Sequence, residues 1–177
     1  MHSRMTAGVD LAVLDAVEAY ALRGILEYEG VRVNWFPIAT PRHLVNVLNG
    51  TESQSDHLVI CSHGDERGIV VDELDPEVAR TQPFTDRLTP ELARRYVSLP
   101  GPVVVVSGCG TGSAEMASGF LDGGCAAYLA PDGYPAGALL FLHRLYHNLI
   151  RGATLDDAVE RARSEDDDGR LFRLHRM

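Results

Sequence analysis

Two side chains stand where α/β proteins carry their reactive groups. His63 lies just past the apolar run His57–Ser62, and Cys109 just past four consecutive valines, Val103–Val106. Both runs have the length and the apolar or β-branched content of strands buried on both faces of a sheet. If the two strands are parallel neighbours they lie about 4.8 Å apart, and residues beyond their ends can share one substrate. A thiol beside an imidazole is a nucleophile with an acid/base partner. Gly64 and Gly108 permit sharp turns at the strand ends, and the backbone N–H groups of Gly64 and Cys109 are candidates for holding a developing oxyanion. The chemistry expected is attack of Cys109 on a carbonyl carbon, with a thioester intermediate.

Singly, each residue has a plainer reading: Cys109 as a small residue at a tight turn, His63 as a strand-end histidine. Their joint placement is what favours a site. Cys61 and Cys125 fall inside apolar strands and read as inert core thiols. His143 and His147 are four apart on one helix but lack a third ligand, so they read as packing or surface residues, and no metal site is expected. Asp166-Asp167-Asp168-Gly169 lacks the alternating ligands and distal glutamate of a calcium loop and reads as a solvated turn.

The bulk properties narrow the classes. The chain has 177 residues, 45% of them hydrophobic, which suits one domain spanning 1–177. A formal charge of −9 argues against a nucleic-acid or anionic-membrane partner. All 16 basic residues are arginines, so Schiff-base chemistry and a P-loop lysine are excluded. No leader-like or long apolar stretch is present, so a cytoplasmic location is expected, and three cysteines without zinc-type spacing suit reduced thiols. No organic cofactor is needed.

The elements that would position the site follow from periodicity. A helix is expected from Val9 to about Glu29, on Leu11, Leu14, Val17, Ala21, Leu22, Ile25 and Leu26. A strand is expected over Val31–Ile38, a helix over Pro41–Leu48, a polar loop over Thr51–Asp56, and a strand over His57–Ser62. In the long stretch Asp65–Leu99, Ile69–Val71 reads as a small strand and Thr89–Tyr96 as a helix capped by Thr89. After the valine strand come a helix over Ser113–Leu121, a strand over Cys125–Ala130 and a helix over Gly137–Ile150. A last helix runs from Thr154 through Arg163, and Arg170–His175 alternates like an edge strand. Strands separated by helices imply a doubly wound, mostly parallel sheet with helices on both faces.

Ile60-Cys61-Ser62-His63-Gly64-Asp65-Glu66 resembles the His-Gly segment of caspases, and Val105-Val106-Ser107-Gly108-Cys109 their strand-to-cysteine segment. Caspases place the histidine about 50 residues before the cysteine, and here the separation is 46. Within the caspase-like (clan CD) cysteine peptidases the chain is most similar to bacterial CHAT-domain proteins. Arg87-Leu88-Thr89-Pro90-Glu91-Leu92, Cys109-Gly110-Thr111-Gly112 and Gly123-Gly124-Cys125-Ala126-Ala127 carry that likeness, which covers about Asp56 to Arg163. The resemblance implies peptide-bond hydrolysis by Cys109, with His63 protonating the departing amine and the backbone of Gly64 and Cys109 binding the oxyanion. It also places Asp132 at a substrate-binding position that favours a basic P1 residue. A peptide or protein is the implied substrate, and the edge strand Arg170–His175 offers pairing with a second copy. The family fold begins with a central strand, whereas only Met1–Gly8 precedes the expected first helix, so that strand is expected to be missing or disguised.

Two other readings use the same residues. One is a catalytically silent scaffold of this fold that binds a protein partner. The other takes Gly108-Cys109-Gly110-Thr111-Gly112 as the glycine-rich loop of methyltransferases that bind S-adenosylmethionine, with Asp132 as the ribose-binding acid. That loop normally follows the first strand, whereas here about 100 residues precede it and 65 follow. Val106 stands where the motif usually has an acid, and His63-Gly64 goes unexplained.

Overall fold

The computed structural model describes residues 8–52 and 55–177. Residues 1–7 and 53–54 lie outside it, and with them most of Met1–Gly8 and the middle of the Thr51–Asp56 loop.

The described residues open with a strand. β1 (Val9–Val13) is wholly buried, and α1 (Ala16–Tyr28) begins only after Asp15, whose carboxylate accepts the Val17 N–H at 3.0 Å as an N-cap. The helix expected from Val9 is therefore corrected at its first two turns, and the first strand is disguised by its own sequence. Asp10 interrupts the apolar run, yet it is buried. Its carboxylate accepts from the Asn34 amide at 2.6 Å and from the Ser55 backbone N–H and hydroxyl at 3.1 and 2.6 Å, which offsets its desolvation. The core-facing stripe of α1 is Ala19, Leu22 and Leu26, and Val17, counted on the expected apolar face, is 83% exposed.

Next come β2 (Val33–Pro37), α2 (Pro41–Leu48) and β3 (His57–Cys61). Beyond β3 lie β4 (Gly64–Asp65), β5 (Gly68–Val70), the short α3 (Pro76–Ala79), β6 (Arg87–Leu88) and α4 (Pro90–Tyr96). Then follow β7 (Val103–Val106), α5 (Ala114–Asp122), β8 (Ala127–Pro131), α6 (Leu139–Ile150), α7 (Leu155–Ser164) and β9 (Phe172–His175). The expected caps hold: the side chains of Thr89 and Thr154 accept the N–H groups of Leu92 and Asp157.

Six strands form the main sheet in the order β2-β1-β3-β7-β8-β9, parallel except for β9, which pairs antiparallel with β8. Alternation along the strands feeds two cores. Ala12, Leu58, Ile60, Val104 and Val106 meet α2, α4 and α5 on one face. Leu11, Val13, Val59, Val105 and Leu129 meet α1, α6 and α7 on the other. This is the doubly wound α/β arrangement expected. The strands β4-β5-β6 make a separate small antiparallel sheet, of which the sequence predicts only the strand at Ile69–Val71. No helix among the described residues is long and apolar enough to cross a membrane.

Candidate active site

β3 and β7 are parallel neighbours, with Ile60 opposite Val106. Their continuations therefore leave the sheet side by side. The Ser107 N–H donates to the Ile60 carbonyl at 3.0 Å, and the Ser62 N–H to the Ser107 hydroxyl at 3.1 Å, which carries the pairing beyond the ladder. His63-Gly64 and Gly108-Cys109 follow, packed main chain against main chain. A Cβ on Gly64 would lie 2.7 Å from the Cys109 carbonyl oxygen, and one on Gly108 would lie 3.0 Å from the His63 carbonyl oxygen. Both turns need glycine because they touch, a stronger reason than the turn geometry foreseen from sequence.

The cysteine turn is held from behind. Gly110, at φ +69°, donates its N–H to the Gly133 carbonyl at 2.7 Å, and the Gly112 N–H reaches the Pro131 carbonyl at 2.8 Å. Thr111 is buried, its hydroxyl donates to the Gly108 carbonyl at 2.7 Å, and the buried Tyr128 hydroxyl donates to the Thr111 carbonyl at 2.9 Å. A Cβ on Gly112 would meet backbone atoms of Ala130, Pro131 and Asp132 at 2.7 Å. Glycines in this segment are thus spent on close packing against protein, not left open toward a phosphate.

Cys109 is half-buried, whereas Cys61 and Cys125 are fully buried. Burial pushes the Cys109 thiol above its ordinary value, with the nearby Glu18 charge adding to the rise and a backbone hydrogen bond opposing it. The Cys109 thiol is consequently neutral at neutral pH. Burial also raises the Cys61 thiol, and the Cys125 thiol to about 12, in keeping with inert core residues.

The His63 side chain is 84% exposed, and its Nε2 lies 3.7 Å from Oδ2 of Asp15. That is an ion-pair separation, longer than a hydrogen bond. Asp15 reaches this position because β1 neighbours β3: the N–H groups of Leu14 and Asp15 both donate to the Cys61 carbonyl, at 2.9 and 2.8 Å. One turn along α1, the half-buried Glu18 lies near Ser107 and Cys61, and its Oε1 is buried without a hydrogen-bond partner. Burial raises its carboxyl pKa, with Ser107, Cys61 and the His63 charge pulling the other way. Sequence reasoning missed both acids because it ran the helix through Val9–Val13. An N-cap aspartate directly after a strand was the signal that would have found Asp15.

Asp132 follows β8, and its backbone lies behind the cysteine turn at Gly112. Its carboxylate is 56% exposed and 3.8 Å from the Arg173 guanidinium, so a resident arginine shares its charge. Across the cysteine turn the Tyr134 hydroxyl donates to the Glu66 carboxylate. This bond raises the tyrosine to about 12 and lowers the glutamate. Neither residue was singled out from sequence. His147 pairs with Glu29 at 3.3 Å, and Asp166 pairs with Arg144 and accepts the Gly169 N–H, so both have structural work. No group of three or more metal-ligating side chains occurs among the described residues.

No family model matches the chain, and no curated protein matches it by sequence. Among solved structures, the crystal structure of the Arg-specific cysteine proteinase gingipain R superposes with a TM-score of 0.57 over 96% of this chain, at 11% sequence identity. The chain spans 45% of that neighbour, less than half its length. The chain therefore shares the α/β fold of that neighbour, with a six-stranded, mostly parallel sheet and helices on both faces.

Proposed function

We propose that the chain is a cysteine peptidase of the caspase-like superfamily, of the CHAT-domain type, with Cys109 as nucleophile and His63 as its acid/base partner. What carries this reading is the contact between the His63-Gly64 and Gly108-Cys109 turns beyond two adjacent parallel strands. Because the resting thiol is neutral, its proton passes to His63 as sulfur attacks the peptide carbonyl carbon. The carbonyl π pair moves to oxygen, where the N–H groups of Gly64 and Cys109 receive the charge. Collapse of this intermediate breaks the C–N bond, and the amine leaves with the proton held by His63. Water, deprotonated by His63, then hydrolyses the thioester and regenerates the thiol. Asp15 acts through His63, orienting the ring from 3.7 Å at Nε2.

The substrate in this reading is a peptide with a basic P1 residue. Asp15 and Asp132 supply negative charge near the dyad, and the structural neighbour is an Arg-specific proteinase. Asp132 already faces Arg173, so it contributes to substrate binding only by sharing that partner. The net charge of −9 speaks against nucleic acid and anionic membranes as partners. β9 ends the sheet, and its outer edge suits antiparallel pairing with a second copy, which light scattering tests directly.

A binding scaffold without catalysis is the second reading, favoured by the neutral thiol and the exposed imidazole, which form no resting ion pair with each other. The methyltransferase reading is weakened by the close packing around Gly108, Gly110 and Gly112. The test is intact-mass labelling with peptidyl acyloxymethyl ketones bearing Arg, Lys, Leu or Asp at P1, with iodoacetamide as control. A single adduct on Cys109 that depends on the peptide and is lost in His63→Ala supports the peptidase. Labelling of Cys109 no faster than Cys61 or Cys125 rejects it and leaves the scaffold.

A further inference from the structure

The hairpin that carries Gly64 is gripped from outside the main sheet. Its turn runs Asp65-Glu66-Arg67-Gly68, and the Asp65 carboxylate accepts the Arg67 N–H at 2.9 Å, a local tie typical of a turn aspartate. From β6, Arg87 presents its fork to the same carboxylate: Nε to Oδ1 and Oδ2 at 3.0 and 2.9 Å, and Nη2 to Oδ2 at 2.5 Å. The two side chains are only 17% and 25% exposed, so solvent screens the pair weakly. Asp86 closes a ring of four charges, pairing with Arg87 and, at 2.8 Å, with Arg67. Asp86 itself takes φ +69°, a left-handed backbone unusual outside glycine.

The opposite side of this hairpin touches the cysteine turn. A Cβ on Gly110 would lie 2.7 Å from the Asp65 carbonyl carbon and 2.8 Å from the Glu66 nitrogen. A Cβ on Gly68 would lie 2.2 Å from the Leu88 carbonyl oxygen, so the turn is pressed onto β6 as well. Gly64 itself is less constrained by pairing. The Val70 N–H bonds to the His63 carbonyl, and alternation in an antiparallel ladder then makes Gly64 and Ile69 a non-hydrogen-bonded pair. The Gly64 N–H is turned away from β5, and the ladder does not fix its direction.

We propose that Arg87 is a positioning residue for the oxyanion site: by gripping Asp65 from β6 it fixes the hairpin against the cysteine turn and so aims the Gly64 N–H. This rests on the reading of Cys109 as a nucleophile that attacks a carbonyl. An oxyanion donor works only within about 2.7–3.1 Å of the oxygen it serves, so small drifts of the hairpin are costly. The fork matters as well as the charge, because lysine offers a point charge without bidentate geometry.

The experiment compares two reactions of the same thiol in wild type, Arg87→Met, Arg87→Lys and Asp65→Asn. Alkylation by iodoacetamide forms a C–S bond as iodide leaves and needs no oxyanion donor. Addition of a peptide aldehyde with Arg at P1 forms a hemithioacetal whose oxygen occupies the oxyanion site. Arg87→Met is expected to weaken aldehyde binding by about 10- to 100-fold, with peptide turnover falling in kcat more than in KM. Alkylation of Cys109 should stay within about twofold of wild type. Arg87→Lys keeps the charge, guards against an unfolded variant, and should lie between the two. Equal losses in both reactions, or none in either, would overturn the positioning role. A wild-type protein that forms no aldehyde adduct on Cys109 would instead overturn the peptidase reading, and this inference with it.

Discussion

Replacing Gly64 by alanine should break the contact on which the site depends, and the structure sets the scale. The new Cβ would stand 2.7 Å from both the Cys109 carbonyl oxygen and Cγ2 of Thr111. Ordinary contact begins at 3.4 Å, so the two turns must part by about 0.7 Å. Neither can yield easily: Thr111 is tied through its hydroxyl to Gly108 and through its carbonyl to Tyr128, and the hairpin is held by Arg87. Forced overpacking of this kind costs about 1–3 kcal/mol. At roughly 2–4 °C per kcal/mol for a chain of this size, Gly64→Ala should melt several degrees below wild type. Gly24→Ala is the matched control. That glycine lies in α1 with nothing within 4 Å of an added Cβ, so alanine should stabilise by about 0.5–1 kcal/mol through helix propensity. Differential scanning calorimetry measures both, and peptide-electrophile labelling of Cys109 should fall in Gly64→Ala alone. A Gly64→Ala protein as stable and as reactive as wild type would refute the packing of the two turns.

Titration and substitution at other positions have defined outcomes as well. Burial lowers the His57 imidazole from its ordinary 6.5 to about 4, against a smaller opposing influence of Asp56, and its ring faces the Tyr146 hydroxyl at 3.5 Å. The unfolded chain takes up this proton first, so stability present above pH 6.5 is lost as pH falls toward 4, by roughly 3 kcal/mol. Urea denaturation across that range should show this slope in wild type and its loss in His57→Phe. Glu18 has the opposite sign, since its raised folded pKa costs stability as pH rises above the ordinary 4.5. Glu18→Gln should therefore gain on wild type at neutral pH and lose that advantage in acid. The same substitution removes a negative charge near Cys109 and should speed its alkylation by iodoacetamide at neutral pH. Tyr134→Phe removes the bond to Glu66 across the cysteine turn and should speed Cys109 modification by a bulky maleimide without touching Cys61; an unchanged rate would mean the bond does not guard the thiol.

Much of this was legible because the buried strands announce themselves. Four valines, and a run ending at His63-Gly64, identified β7 and β3 and with them the turns that carry His63 and Cys109. Capping threonines located α4 and α7. What escaped was decided by tertiary partners. β1 carries an aspartate next to its start, tolerated only because Asn34 and Ser55 meet it in the fold, and its Leu11, with Leu14 just beyond, happens to continue the period of the next helix. Reading it as helix hid Asp15 and Glu18, two acids that approach His63 and Cys109 only because β1 neighbours β3. The ring of Asp65, Arg67, Asp86 and Arg87 could not be foreseen either, since its members converge only when a two-residue strand at 87–88 pairs with the hairpin. Asp132 was correctly located by its strand, but nothing in its neighbours in sequence revealed that Arg173 would face it.

The register of the sheet has a consequence for how the protein comes apart. β1 pairs with β2, and β7 with β8, across spans of 24 residues in each case, Val9 with Val33 and Val103 with Ala127. β3 and β7 join across 46, His57 with Val103. β1 and β3 join across 48, Val9 with His57, so β3 is held on both sides by pairings of distant origin, while the flanking units β1–β2 and β7–β8 are each closed by a nearby crossover. Long-range pairings form late, because chain closure must precede the contacts that reward it. His63 follows β3 and Cys109 follows β7, so a partial opening between those two strands that leaves both βαβ units intact separates the two side chains. Labelling of Cys109 by a peptide electrophile would be lost at the first slip of this seam, well before the helices melt, whereas iodoacetamide, which needs only an exposed thiol, would react faster.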